Sequence, residues 1–237
     1  MTPLSRGVAN LRAIKLLKQL EAEQRTATRD EQVILSRFTG YGSSNVLAQG
    51  FTSDGKPRGE LAQLLTPAEI KGLLGSSLNA HYTSLEIVRV LWRNVLRLYR
   101  NQPPTGLRIL EPAVGTGNFL SCMPSEFQNP DVYAIELEAI SAAITRHLHP
   151  CARLFARGFE AVDLPDDVFD IVIGNWPFGN YRVADSLMAD KRLKQSIHNY
   201  FFAKAMDVVK PGGIIMRLRR GSFWTAMAVL LAMCAGG

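Results

Sequence analysis

Leu107-Arg108-Ile109-Leu110-Glu111-Pro112-Ala113-Val114-Gly115-Thr116-Gly117-Asn118-Phe119-Leu120 is the stretch on which the reading of this chain turns. A short apolar run ends in an acid and passes into a glycine-bearing loop. Glycines let backbone N–H groups approach a bound molecule closely, so such a loop after a strand suits a nucleotide-like cofactor. The helix that follows turns its N-terminus toward the ligand. A second loop of this kind, Gly174-Asn175-Trp176-Pro177-Phe178-Gly179, follows the apolar run 168–173. Between the two, Val132-Tyr133-Ala134-Ile135 ends in Glu136. An acid ending the second strand can take both ribose hydroxyls of a nucleoside. Each loop alone is only a turn signal. The order of the three, each at a strand end, makes the pattern.

The surrounding chain fits an α/β protein. Strand and helix patterns alternate: strand 107–110, helix 117–127, strand 132–135, helix 138–148, strand 153–156, strand 168–173, helix 196–209, strand 213–216. This order predicts a mainly parallel sheet with helices on both faces. Upstream, Leu11, Ile14, Leu17 and Leu20 recur at helical spacing within 4–27. A second helix starts near Thr28, with Asp30 and Glu31 in its first turn. The Gly-, Ser- and Asn-rich stretch 40–59 reads as a loop. Thr66-Pro67-Ala68-Glu69 is a helix start with a cap, a proline and an acid in the expected places. A further helix spans about 84–99, with Ile87, Val88, Leu91, Val95 and Leu98 on its apolar face.

The chain of 237 residues is 47% hydrophobic and 20% charged, the balance of a globular protein. Cys122, Cys151 and Cys234 form no disulfide framework, and His81, His147, His149 and His198 no metal motif. No metal is therefore expected, and a reducing, cytoplasmic location is. The apolar tail 223–237 is shorter than the about 20 residues a membrane helix needs, so no span is expected. The net charge of +6 is uneven. Residues 1–80 hold ten basic against seven acidic side chains, 81–190 nine against thirteen, and 191–237 eight against one. The basic stretch includes Lys191, Arg192, Lys194 and Lys204, a face that suits a polyanion.

On these residues the chain resembles the S-adenosylmethionine-dependent methyltransferases that act on amino groups, and among them the adenine-N6 DNA methyltransferases. Ala80-His81-Tyr82-Thr83-Ser84 is similar to the segment that precedes their sheet, which usually ends Tyr-Thr-Pro. Phe38-Thr39-Gly40-Tyr41-Gly42 and Ile197-His198-Asn199-Tyr200-Phe201-Phe202-Ala203-Lys204 look like the methylase portions of plasmid- and phage-borne methylase–helicase fusions. The likeness covers roughly 28–216 and stops at Arg217-Leu218-Arg219-Arg220.

The resemblance implies a Rossmann-like class I methyltransferase sheet, incomplete at its C-terminal end after a fifth strand. It divides the chain into a helical N-terminal region (1–80), a methyltransferase domain (81–216) and a divergent apolar tail (217–237). The implied cofactor is S-adenosylmethionine, held by Tyr82, Thr83, Glu111, Pro112, Gly115, Gly117, Asn118, Phe119, Glu136, Phe159 and Glu160. Where the family has an acid before Phe159 this chain has Gly158, so Glu160 or Asp163 takes the place of that acid. The implied catalytic loop is Asn175, Trp176, Pro177 and Phe178, with Trp176 where a proline or small residue is usual. The implied substrate is DNA, with a helicase portion on a longer parent protein. Two other readings stand beside it: transfer to a protein glutamine or an RNA base nitrogen, and an inactive cofactor- or DNA-binding remnant. The remnant reading expects the sheet edge beside Asn175 to be left uncovered.

Overall fold

The computed structural model describes residues 2–76, 83–177, 196–219 and 225–230, the last of these segments through its backbone. The first helices are α1 (Pro3–Glu23), α2 (Arg29–Leu35), α3 (Ser44–Gly50), α4 (Leu61–Leu64), α5 (Pro67–Ser76) and α6 (Leu85–Leu98). Then come β1 (Arg108–Glu111), α7 (Asn118–Ser121), β2 (Asp131–Ile135), α8 (Ala139–Leu148) and β3 (Arg153–Phe155). A 3-10 turn (Phe159–Ala161), β4 (Phe169–Gly174), α9 (Ile197–Val208), β5 (Val209–Arg219) and β6 (Thr225–Leu230) follow. Two compact units result. One comprises residues 1–82, 115–117 and 137–150, the other 83–114, 118–136 and 151–237. Among the described residues, no helix is long and apolar enough to cross a membrane.

In the helical unit, local signals set the helix starts. Thr28 accepts from the Glu31 N–H while the Glu31 side chain takes the Thr28 N–H, a reciprocal cap for α2. Thr66 and Glu69 do the same for α5, with the Thr66 N–H donating to Glu69 at 2.8 Å. Ile14, Leu17 and Leu20 of α1 are buried with Leu35, Phe38 and Ile144. The Phe38–Gly42 segment is tied to α1 by buried Asn10, whose amide donates to the Gly40 carbonyl at 2.6 Å and accepts from the Thr39 N–H at 2.8 Å. The stretch expected as loop from 40 to 59 contains α3. Its last residue is Gly50 because the Tyr41 ring lies 2.5 Å from where a Cβ would stand.

The sheet unit has strand order β3-β2-β1-β4-β5-β6. The first five strands are parallel, and β6 pairs antiparallel with β5. The sheet is Rossmann-like, preceded by the helical region, as expected. Both faces of the central strands are covered, so residues 109–110, 171–173 and 214–216 are buried apolar runs. Ile109, Ile171, Ile173, Ile214 and Met216 pack with Val88, Trp92 and Val95 of α6. Leu110, Val172 and Ile215 pack with Tyr200, Phe201 and Val208 of α9. Successive residues thus point to opposite layers, the period of two that a strand imposes.

Several boundaries differ from the expectation. The helix expected over 117–127 is the single turn α7, because Pro124 has no N–H to continue it. The strand expected over 213–216 is part of the longer β5, which starts at Val209 and carries an irregularity, with Val209 opposite Phe169 and Ile214 opposite Ile171. The tail expected from 217 begins within β5, and β6 then pairs along it from Ile214 opposite Leu230 to Arg219 opposite Thr225. The β5 edge expected to lie open is therefore paired, which removes the unpaired backbone groups of a bare edge.

Candidate functional site

In a doubly wound sheet, ligands bind beyond the carboxyl ends of the strands, where the strand order reverses. Here the reversal lies between β1 and β4, which flank each other while β2 and β5 lie outside them. Polar residues cap this end of the parallel strands. Glu111 closes β1, Glu136 follows β2, Glu160 lies in the turn after β3, and Asn175 follows β4. Arg217 stands in β5 opposite Gly174.

Glu111 is 1% exposed, and its Oε2 has no hydrogen-bond partner among the described residues. Burial, and then the neighbouring Glu136, push its carboxyl well above the ordinary carboxylate range. Thr83 Oγ1 and Trp176 Nε1 are likewise buried without a hydrogen-bond partner among the described residues. Native interiors leave few such atoms, and each calls for a ligand or a special reason. Gly174 leaves room between these groups. A Cβ there would lie 3.0 Å from Trp176 Nε1 and 3.6 Å from Glu111 Cγ. Asn118 donates from Nδ2 to the Thr83 carbonyl at 3.0 Å, joining two of the expected cofactor residues. Pro112 is buried. The Phe119 ring is buried against α6, and its carbonyl accepts from Trp92 Nε1 at 2.8 Å.

The turn after β3 is held from α9. Lys204 Nζ donates to the Phe159 carbonyl at 2.7 Å and to the Val162 carbonyl at 3.0 Å, and lies 4.9 Å from the Phe159 ring centre. Lys204 is 8% exposed, so it is not part of a solvated face open to a polyanion. The Glu160 carboxylate folds back into the space that a side chain at Gly158 would occupy. Asp163, the other candidate for that acid, is exposed.

No family model matches the chain. It is 29% identical over 215 residues to "Defense against restriction protein B" of Escherichia phage P1. That match takes in 89% of this chain and 8% of the phage protein, so the chain spans a small part of the relative's length. A putative class I S-adenosylmethionine-dependent methyltransferase from Listeria monocytogenes is similar at 17% identity and a TM-score of 0.48, over 89% of this chain and 65% of that one. A type I restriction-modification methyltransferase subunit from Streptococcus thermophilus is similar at 15% identity and a TM-score of 0.48, over 63% and 38%.

Asn175 and Pro177 are half-buried, and the Trp176 side chain is buried against Phe201 and Arg217. Tyr82 and Phe178 lie outside the described residues, as do Lys191, Arg192 and Lys194. The glycines of the first loop are described within the helical unit. Gly115 and Gly117 have φ of 57° and 81°, the left-handed region that favours glycine. Thr145 Oγ1 donates to the Gly115 carbonyl at 2.6 Å. A side chain at 117 would collide with the His149 imidazole. Burial pushes His149 below the ordinary histidine value, while a hydrogen bond with the Gly117 backbone pulls the other way.

The sequence points to no site role for four of these residues. Lys204, expected on the basic face, falls at helical spacing from Tyr200 and Phe201 and so on the apolar stripe of α9. Arg217, expected in the tail, lies in β5, where Leu218 continues the alternation of Ile214 and Met216. Thr145 and His149 carried no signal, since only the fold brings them to the glycines.

Proposed function

We propose that this chain transfers a methyl group from S-adenosylmethionine to the exocyclic N6 of adenine in DNA. The observation that carries the reading is the buried Glu111 carboxylate, raised by burial and by Glu136 and lacking a hydrogen-bond partner at Oε2 among the described residues. A nearby positive charge favours the charged form of such a group, and the ammonium of this cofactor supplies one. Glu136 suits the ribose hydroxyls, each donating to a carboxylate oxygen. Glu160, folded over Gly158, suits the amino group of the cofactor's adenine. Thr83 Oγ1 is a buried polar atom available to the methionine end. Gly115 and Gly117 enter the proposal through the sequence of the loop. When bound, the cofactor supplies an electrophilic methyl group.

The target nitrogen is a weak nucleophile because its lone pair is delocalised into the adenine ring. The side-chain oxygen of Asn175 and the backbone carbonyl of Trp176 accept its two N–H hydrogens. This draws the nitrogen toward tetrahedral geometry and localises the lone pair for in-line attack on the methyl carbon, with S-adenosylhomocysteine as the leaving group and one amino proton passing to solvent. Pro177 restricts the backbone next to these acceptors. Phe178 stacks on the target base once it is turned out of the duplex. The choice of DNA is supported by the Asn-Trp-Pro-Phe loop and by the phage relative named for defence against restriction. A helicase portion on a longer parent remains part of the proposal, resting on the sequence resemblance.

The test is incubation with labelled S-adenosylmethionine and unmethylated DNA, RNA and protein pools. Label at N6 of adenine in DNA is the expected result. Label confined to RNA or protein moves the reading to another amino acceptor. Binding of S-adenosylhomocysteine without any transfer leaves a binding remnant.

A further inference from the structure

Arg217 is a buried cation, 7% exposed, that the chemistry above leaves without a task. Its guanidinium carbon lies 5.3 Å from the centre of the Trp176 indole and 5.5 Å from that of the Phe202 ring. Trp176 packs in turn on Phe201, ring centres 6.2 Å apart. Residues of β5 and α9 therefore hold one indole, and that indole belongs to the residue after Asn175. Cation–π attraction strengthens when water is excluded, as it is around a tryptophan that is 1% exposed. The side chain of Trp176 cannot turn without parting from the guanidinium, and its backbone is restrained with it. Proline at 177 restrains the next residue. The loop is thus pinned through a side chain at the position where the sequence departs from proline.

We propose that Arg217 is a positioning residue for methyl transfer: by clamping the Trp176 indole it sets the Asn175 oxygen and the Trp176 carbonyl where the target amino group needs them. The proposal rests on the methyl-transfer reading above. It gives a function to the first residue past the point where the family resemblance ends.

The test uses the full chain with Arg217→Met, which keeps apolar bulk and removes the charge, and Arg217→Lys, which keeps the charge. S-adenosylhomocysteine affinity is measured by calorimetry, and single-turnover transfer on unmethylated DNA. A loop displaced by about 1 Å can lose on the order of a hundredfold in rate, so Arg217→Met is expected to slow transfer by about tenfold to a hundredfold. Cofactor affinity is expected to stay within about twofold, and Arg217→Lys to recover part of the rate. Trp176→Phe added to Arg217→Met should cost little more than Arg217→Met alone, because the two act through one contact. Equal losses of affinity and rate, or independent losses from the two substitutions, overturn the proposal. If the wild-type chain transfers to no substrate, the methyl-transfer reading fails by itself. The clamp is then judged by urea unfolding of the same double-mutant cycle. A coupling of about twofold or more in the unfolding constant supports the contact, and a coupling near one overturns it.

Discussion

Replacing Glu111 with glutamine separates two demands on one buried group. The carboxyl is 1% exposed, and burial and Glu136 together raise its folded value well above the ordinary 4.5. Below that ordinary value both folded and unfolded chains hold the proton, and pH has no effect through this group. Above it, the unfolded chain releases the proton while the folded chain keeps it. Stability therefore falls as pH rises, until the raised folded value is passed. For one proton the slope is at most about 1.4 kcal/mol per pH unit. Glutamine keeps the shape and does not titrate. The stability of Glu111→Gln relative to wild type should therefore climb with pH, leaving the variant the more stable apoprotein at neutral pH. Under the proposed function, the same change removes the anion offered to the ligand ammonium. A hydrogen bond to a charged group is worth about 1.5–3 kcal/mol, or roughly tenfold to a hundredfold in S-adenosylhomocysteine affinity. Urea unfolding of both proteins from about pH 5 to 8 gives the first quantity, and calorimetry the second. Parallel stability curves would refute the electrostatic account of Glu111. Unchanged affinity would refute its role toward the cofactor.

Asn175→Ala should abolish methyl transfer while S-adenosylhomocysteine binds within about twofold of wild type, since Asn175 is assigned to the target amino group. A matching loss of binding would place Asn175 with the cofactor instead. Lys204→Met leaves the Phe159 and Val162 carbonyls without this donor and should cost about 1–3 kcal/mol in urea unfolding; a neutral result would mean the turn is held by packing alone. His149 has a folded value below the ordinary 6.5, so stability is full above that value and falls as pH drops through it toward the folded value. His149→Gln should flatten this acid limb, and an unchanged limb would assign the titration to another group.

How far the sequence reached depends on how local the physics is. The caps of α2 and α5 involve residues three apart, so Thr28 with Glu31 and Thr66 with Glu69 could be read directly. The strands β1, β2 and β4 were legible because their apolar runs are short and end in a glycine or an acid. The parallel order followed from the alternation of strands with helices. By the same logic Glu111, Glu136 and Asn175 could be singled out, since strand ends at one edge of a parallel sheet converge. What escaped depends on distant partners. A buried lysine and a surface lysine look alike until Phe159 and Val162 are seen to lie against Lys204. The strand β6 lies in an uncharged apolar stretch without strand alternation and is defined by its pairing with β5. That the Glu160 carboxylate lies over Gly158 while Asp163 is exposed could not be read from the chain. Sequence by itself determined the elements, their order and the residue types at the strand ends, because periodicity, capping and loop chemistry act over a few residues. Only the tertiary structure decided that Glu111 is buried, that Arg217 faces Trp176, and that Thr145 and His149 meet the glycines, because desolvation and packing are set by residues far away in the chain.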